Sequence, residues 1–173
     1  MFRAILPHMR ARKSGVIANI ASVASHIGVP GGGIYCASKA ANSIHSEALA
    51  GEIAHLGIEI TAVEPGYFRT AIFEETNRKR AEKRIEDIRE TVDEMMRVGV
   101  LEQNGKQAGD PVRGAEVLVE ALTKTGRCVG RKLPIRMALG RDAVERIPQM
   151  LEGQRKEVEE WKDITRDCDF ENN

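Results

Sequence analysis

Ser22, Tyr35 and Lys39 are the residues of this chain whose types and spacing suggest chemistry. Tyr35 and Lys39 stand four apart, and on a helix that spacing puts phenol and ammonium on one face. A phenol is a poor proton donor or acceptor at neutral pH, but a cation beside it favours the phenolate and makes the pair an acid–base unit. Such a unit exchanges a proton with a carbonyl or an alcohol. Ser22, thirteen residues before the tyrosine, offers a hydroxyl to the same substrate oxygen.

These groups need a strand, a turn and a helix to hold them. Residues 15–21, GVIANIA, form an almost unbroken apolar run, the pattern of a parallel strand covered on both faces. Residues 22–33 read as a loop, with Gly28, Pro30 and three consecutive glycines for turn conformations. That cluster fits neither GxGxxG nor GxxxxGK[ST], so it reads as a turn and not as a phosphate cradle. Residues 34–55 then carry Ala37, Ala40, Ala41, Ile44, Ala48 and Ile53 on a narrow face of small side chains, which predicts a long helix bearing Tyr35 and Lys39. Gly57 ends it, and residues 57–63, GIEITAV, alternate like a strand. Glu64-Pro65-Gly66 closes that strand, the glycine leaving room for a ligand to approach the backbone.

The serine, the YxxxK pair and the downstream Pro65-Gly66 with Thr70 resemble the second half of a short-chain dehydrogenase/reductase. The resemblance implies an α/β fold, an incomplete Rossmann-like doubly wound parallel sheet made of the last three strands with their flanking helices. It also implies hydride transfer between NAD(P) and a carbonyl or secondary alcohol. Tyr35 would be the proton donor or acceptor, Lys39 would favour its phenolate and hold the nicotinamide ribose, and Ser22 would orient the substrate oxygen. Pro65 and Gly66 would lie against the nicotinamide, and Thr70 would support its carboxamide or the phosphates. The family's N-terminal dinucleotide-binding half, with its glycine-rich turn and catalytic asparagine, is expected to be missing, as is the residue that selects NAD or NADP.

The remaining elements follow from pattern. Phe2, Ile5, Leu6 and Met9 predict a short first helix that frays after Pro7 into the basic turn of Arg10, Arg12 and Lys13. Residues 73–98 carry Ala81, Ile85, Ile88, Val92 and Met95 as a thin stripe and read as one charged amphipathic helix. The basic cluster around Lys79 and Arg80 is interleaved with glutamates and reads as a solvated face, not a nucleic-acid patch. Asp110-Pro111 opens a further helix that Gly126 stops, residues 132–139 form an edge-like last strand, and Asp142 caps a final helix bent near Pro148 and Gly153. The chain thus reads as one domain, with a core over 15–70, a lid-like segment over 71–109 and a closing helix–strand–helix over 110–173.

Composition narrows the class. With 26 basic and 26 acidic side chains the chain has no net charge to attract nucleic acid or an anionic membrane, and small, largely uncharged substrates suit it better. No run approaches the ~18 apolar residues of a membrane span, and the apolar start is too short for a secretory signal, so a cytoplasmic protein is expected. Its three cysteines lack CxxC or His-Cys spacing, which argues against a zinc site or a disulfide framework. Ser22 with His26 raises a hydrolase, but no GxSxG elbow and no assigned acidic partner support it. A shortened, non-catalytic binding or interaction protein is the second reading. In either case the strand over 15–21 is expected to lack a neighbour and to invite a second copy or a partner.

Overall fold

The computed structural model describes residues 2–78 and 82–170. Three strands form one open parallel sheet: β1 (Gly15–Ile20) pairs with β2 (Ile58–Pro65), and β2 pairs with β3 (Arg136–Leu139). Five α-helices flank it: α1 (Phe2–Arg12), α2 (Gly33–Ile53), α3 (Arg89–Met96), α4 (Pro111–Thr123) and α5 (Arg141–Thr165). This is the α/β arrangement of three parallel strands and flanking helices that the sequence predicts. Because every pairing is parallel, all three strands deliver their carboxyl ends to the same edge, where α/β folds bind ligands.

Two clusters make the core. Ile17, Ile58 and Ile60 of the sheet meet Leu49 and Ile53 of α2, and Phe2, Ile5, Leu6 and Met9 of α1 close over them. That packing explains why α1 runs unbroken to Arg12 with Pro7 inside it, contrary to the predicted fraying: the apolar stripe gains more from burial than one lost backbone hydrogen bond costs. Val23, Ala143 and Ile147 form the second cluster, joining the loop after β1 to α5, with Ala138 and Met150 against it.

Position in the sheet corrects two strand readings. β2 alternates in sequence, yet every residue from Ile60 to Glu64 is buried, because this is the middle strand and helices cover what would otherwise be its solvent face. Polar Thr61 and Glu64 only imitate an exposed face. β3 is shorter than predicted and starts at Arg136, leaving Pro134, which cannot donate to a ladder, outside it.

The charged stretch over 73–98 is the largest departure. It holds 3-10 turns at Ala71–Phe73, Glu75–Asn77 and Glu86–Ile88, and only then α3, followed by a π turn at Arg97–Leu101. Lys79, Arg80 and Ala81, part of the predicted helix and its basic cluster, lie outside the described residues. Ile85 and Ile88 remain half exposed or more, so the stripe finds too little apolar cover to hold a long helix. α4 begins as expected, with the Asp110 carboxylate accepting from Val112 N at 2.9 Å and Pro111 first in the helix. Its end is made by Lys124 in the left-handed conformation (φ 54°), ahead of the predicted stop at Gly126. Gly140, not Asp142, is the N-cap of α5, which continues as one helix through Pro148 and Gly153.

Candidate active site

Ser22 follows β1 directly and caps the 3-10 turn Val23–His26, its Oγ accepting the Ala24 amide hydrogen at 3.1 Å. The sequence folds this way because an extended serine ahead of a tight turn satisfies an otherwise orphaned N–H. The turn glycines lead into α2, with Gly31 in the left-handed region (φ 74°). Tyr35 therefore sits in the first turn of α2, with its phenol 47% exposed, so a substrate can reach it.

One turn on, Lys39 shares that face: its Nζ is 5.8 Å from the Tyr35 ring centroid and donates to the carbonyl of Ile20, the last residue of β1, at 3.0 Å. Tyr35 and Lys39 are thus brought together at the carboxyl end of β1, where Lys39 is tied to Ile20, two residues before Ser22. Among the described residues no direct hydrogen bond joins the three to one another, so each hydroxyl is left to a bound substrate.

Pro65 ends β2 and Gly66 bonds across to β3, its N–H donating to Leu139 O at 2.9 Å. The glycine has a reason of its own within the fold. A Cβ there would collide with the Asp142 carboxylate, whose Oδ2 accepts the Tyr67 amide hydrogen at 2.7 Å, so Gly66 makes room for a residue of α5. Thr70 precedes the Ala71–Phe73 turn, is exposed and makes no side-chain cap; its amide donates to Phe68 O at 2.9 Å. It follows the Pro65-Gly66 turn by four residues.

Residues 1–81 match the family profile for short chain dehydrogenase. Over 81 residues the chain is 43% identical to nodulation protein G of Rhizobium meliloti (strain 1021), a match taking in 47% of this chain and 33% of that protein. The crystal structure of a short-chain dehydrogenase from Streptomyces avermitilis superposes with a TM-score of 0.75 at 35% identity, covering 97% of this chain and 57% of that one. Over its first 81 residues the chain is thus similar to the short-chain dehydrogenases. A short chain dehydrogenase/reductase from Burkholderia phymatum, solved in complex with NAD, has the same fold at 18% identity and a TM-score of 0.63, covering 99% of this chain and 57% of that one. The chain therefore spans about a third to rather more than half the length of these relatives.

The sequence reading missed a buried polar cluster close to these residues. Glu64 and His26 are both buried, with Nε2 of His26 2.9 Å from Oε2 of Glu64. Ser43 of α2 donates to Oε1 at 2.7 Å, and Arg136 of β3 reaches the same oxygen at 3.5 Å. One signal was available: Ser43 follows Tyr35 and Lys39 at the same four-residue interval. The cluster also answers the hydrolase reading. His26 does have an acidic partner, but the hydroxyl of Ser22 is engaged by Ala24 and makes no bond to the ring.

Proposed function

We propose that this chain carries the reactive half of an NAD(P)-dependent oxidoreductase acting on a carbonyl or a secondary alcohol. The observation behind it is the convergence of an accessible phenol, a neighbouring ammonium and a serine hydroxyl at the carboxyl edge of a parallel sheet. The half-exposed Tyr35 phenol and Lys39 ammonium are suited to the hydroxyl groups of a nicotinamide ribose. When bound, the nicotinamide dinucleotide supplies or takes up the hydride.

In the reducing direction Tyr35 gives its phenolic proton to the carbonyl oxygen as the carbon is reduced, and in the oxidising direction it takes the proton back. Lys39 stabilises the phenolate that remains, since a cation beside a phenol favours its charged form. Ser22 donates its hydroxyl hydrogen to the substrate oxygen and keeps it within reach of Tyr35. Its own oxygen stays fixed by the Ala24 amide, so the hydroxyl hydrogen is free to point outward. Pro65, Gly66 and Thr70 line the cofactor side in this reading.

Residues 71–109 take the place of a substrate lid. In support, Val92 of α3 packs beside Gly31, on the turn that leads into Tyr35. The substrate is a small carbonyl or alcohol, consistent with a chain whose charges balance.

The test is a chimera in which a family-type strand, glycine-rich turn and helix precede residue Phe2. It should reduce carbonyl substrates with NADH or NADPH, and Tyr35→Phe should lower turnover by about 10²- to 10⁴-fold without loss of folding. Near-full activity of the Tyr35→Phe chimera would overturn the assignment.

A further inference from the structure

Glu64 carries a carboxylate in a side chain 1% exposed, and a charge so placed is destabilising unless donors surround it. Its partners come from three other elements: His26 from the turn after β1 and Ser43 from α2 hydrogen-bond to it, and Arg136 from β3 adds a positive charge at 3.5 Å. A carboxylate only accepts, so Nε2 of His26 carries the proton it gives to Oε2. Arg136 Nη1, 3.4 Å from that nitrogen, cannot be its donor and faces Oε1 of Glu64 instead, while Arg136 Nε pairs with the Glu47 carboxylate. The single hydroxyl hydrogen of Ser43 goes to Oε1, and Ser25 donates to Ser43 in turn across 3.1 Å.

Two of these elements, and the strand of Glu64 itself, also carry part of the candidate site. His26 ends the turn that Ser22 caps. Ser43 is the third member of the stripe Tyr35, Lys39, Ser43, so its bond to Glu64 fixes how far α2 is rotated about its own axis. Glu64 itself immediately precedes Pro65-Gly66. The alanines of α2 cannot set that rotation sharply, because small side chains interlock weakly with what they pack on.

We propose that Glu64 is the positioning residue of this site, a single buried carboxylate that fixes the Ser22 turn and the Tyr35–Lys39 face of α2 relative to the Pro65-Gly66 turn. Only its effect on turnover rests on the oxidoreductase reading; the geometry is testable without catalysis.

The full 173-residue chain is labelled with ¹³C at the phenolic carbon of tyrosine, giving two signals, which Tyr35→Phe assigns to Tyr35 and Tyr67. Glu64→Gln keeps size but places an amide hydrogen donor among donors, and Ser43→Ala removes one donor while leaving Glu64, His26 and Arg136 in place. The Tyr35 signal should move in both variants while amide exchange along the β1–β2 ladder stays within about twofold of the parent. Should Glu64→Gln fail to fold, Ser43→Ala alone decides. Glu59→Gln, on the same strand but in an exposed pair with Lys124, should leave Tyr35 unmoved. A Tyr35 signal that stays put in the folded variants, or moves only when exchange quickens along the whole ladder, overturns the proposal. In the active chimera the same Glu64→Gln change should lower kcat about tenfold with little change in KM. A chimera that never turns over would defeat the oxidoreductase reading and leave the tyrosine signal to judge Glu64.

Discussion

The carboxylate of Asp142 occupies the space that a side chain on Gly66 would need, and it accepts the amide hydrogen of Tyr67. One acid at the start of α5 thus latches the turn after β2 to the helix after β3. Gly66→Ala should lower stability by about 2 kcal/mol, because the added methyl displaces that carboxylate and orphans the Tyr67 N–H. The same substitution in an Asp142→Ala background should cost clearly less. Denaturant titrations of the four proteins check this, and strict additivity would show the two positions to be uncoupled.

Lys39 has two tasks in this arrangement, facing the Tyr35 ring and tying α2 to the end of β1 through Ile20 O. Lys39→Met preserves the length of the side chain and removes both. In the chimera, turnover should fall about 10²-fold or more, whereas the melting temperature should move little, since the lysine bond is at the surface. Steady-state kinetics alongside thermal melts separate the two effects. Unaltered turnover would remove Lys39 from the mechanism.

β1 pairs on one side only, and Val16 and Ile20 remain 38% and 49% exposed on it. A strand edge with unpaired backbone groups and no charge of its own templates association. The purified 173-residue chain should therefore self-associate at micromolar concentration, and Val16→Lys with Ile20→Lys should reduce that association. Sedimentation velocity measures both. A monomeric parent chain that binds no hydrophobic dye would contradict the expectation.

At the end of α4 the Glu120 carboxyl is held below the usual carboxylate range, chiefly by the side-chain hydrogen bond from Arg127 at 2.6 Å, with the Arg127 amide also donating at 3.1 Å. A depressed carboxyl contributes stability that is present above its unfolded value and lost as pH falls through its folded one. Glu120→Gln should therefore speed amide exchange over the Gly126–Cys128 turn at neutral pH, with the difference vanishing in acid. Because the pair is exposed, high salt should shrink the effect. Hydrogen exchange across pH tests the sign.

Local chemistry made much of this structure legible. Asp110-Pro111 marks a helix start because capping is decided within one turn, and GVIANI marks a strand because six residues suffice to show an almost unbroken apolar run. At the sheet edge, however, Val16 and Ile20 stay exposed, and the expected cover on both faces is not complete. The Tyr35–Lys39 face was readable for the same reason, being set by helical repeat alone. What stayed hidden depends on neighbours distant in sequence. Glu64 looks like a surface residue until β2 is known to be the central strand, and the Asp142 carboxylate that fills the space beside Gly66 is brought there only by α5. The stretch over 73–98 failed the other way: its helical pattern is real, but few apolar neighbours meet it, and α3 is what remains.

The all-parallel sheet has a consequence for how the chain reaches this state. β1 and β2 can pair only after the whole of α2 has been laid down between them, and β2 and β3 only across everything from Gly66 to Ile135. No hairpin is available to nucleate the sheet, so loop closure must be met before any ladder is gained. Topologies of that kind refold on the millisecond-to-second scale or slower. During synthesis β3 emerges last, and until it does one edge of β2, the most deeply buried strand, stands open in the nascent chain. Kinetic partitioning between closure and aggregation, more than equilibrium stability, will then set the yield of native protein.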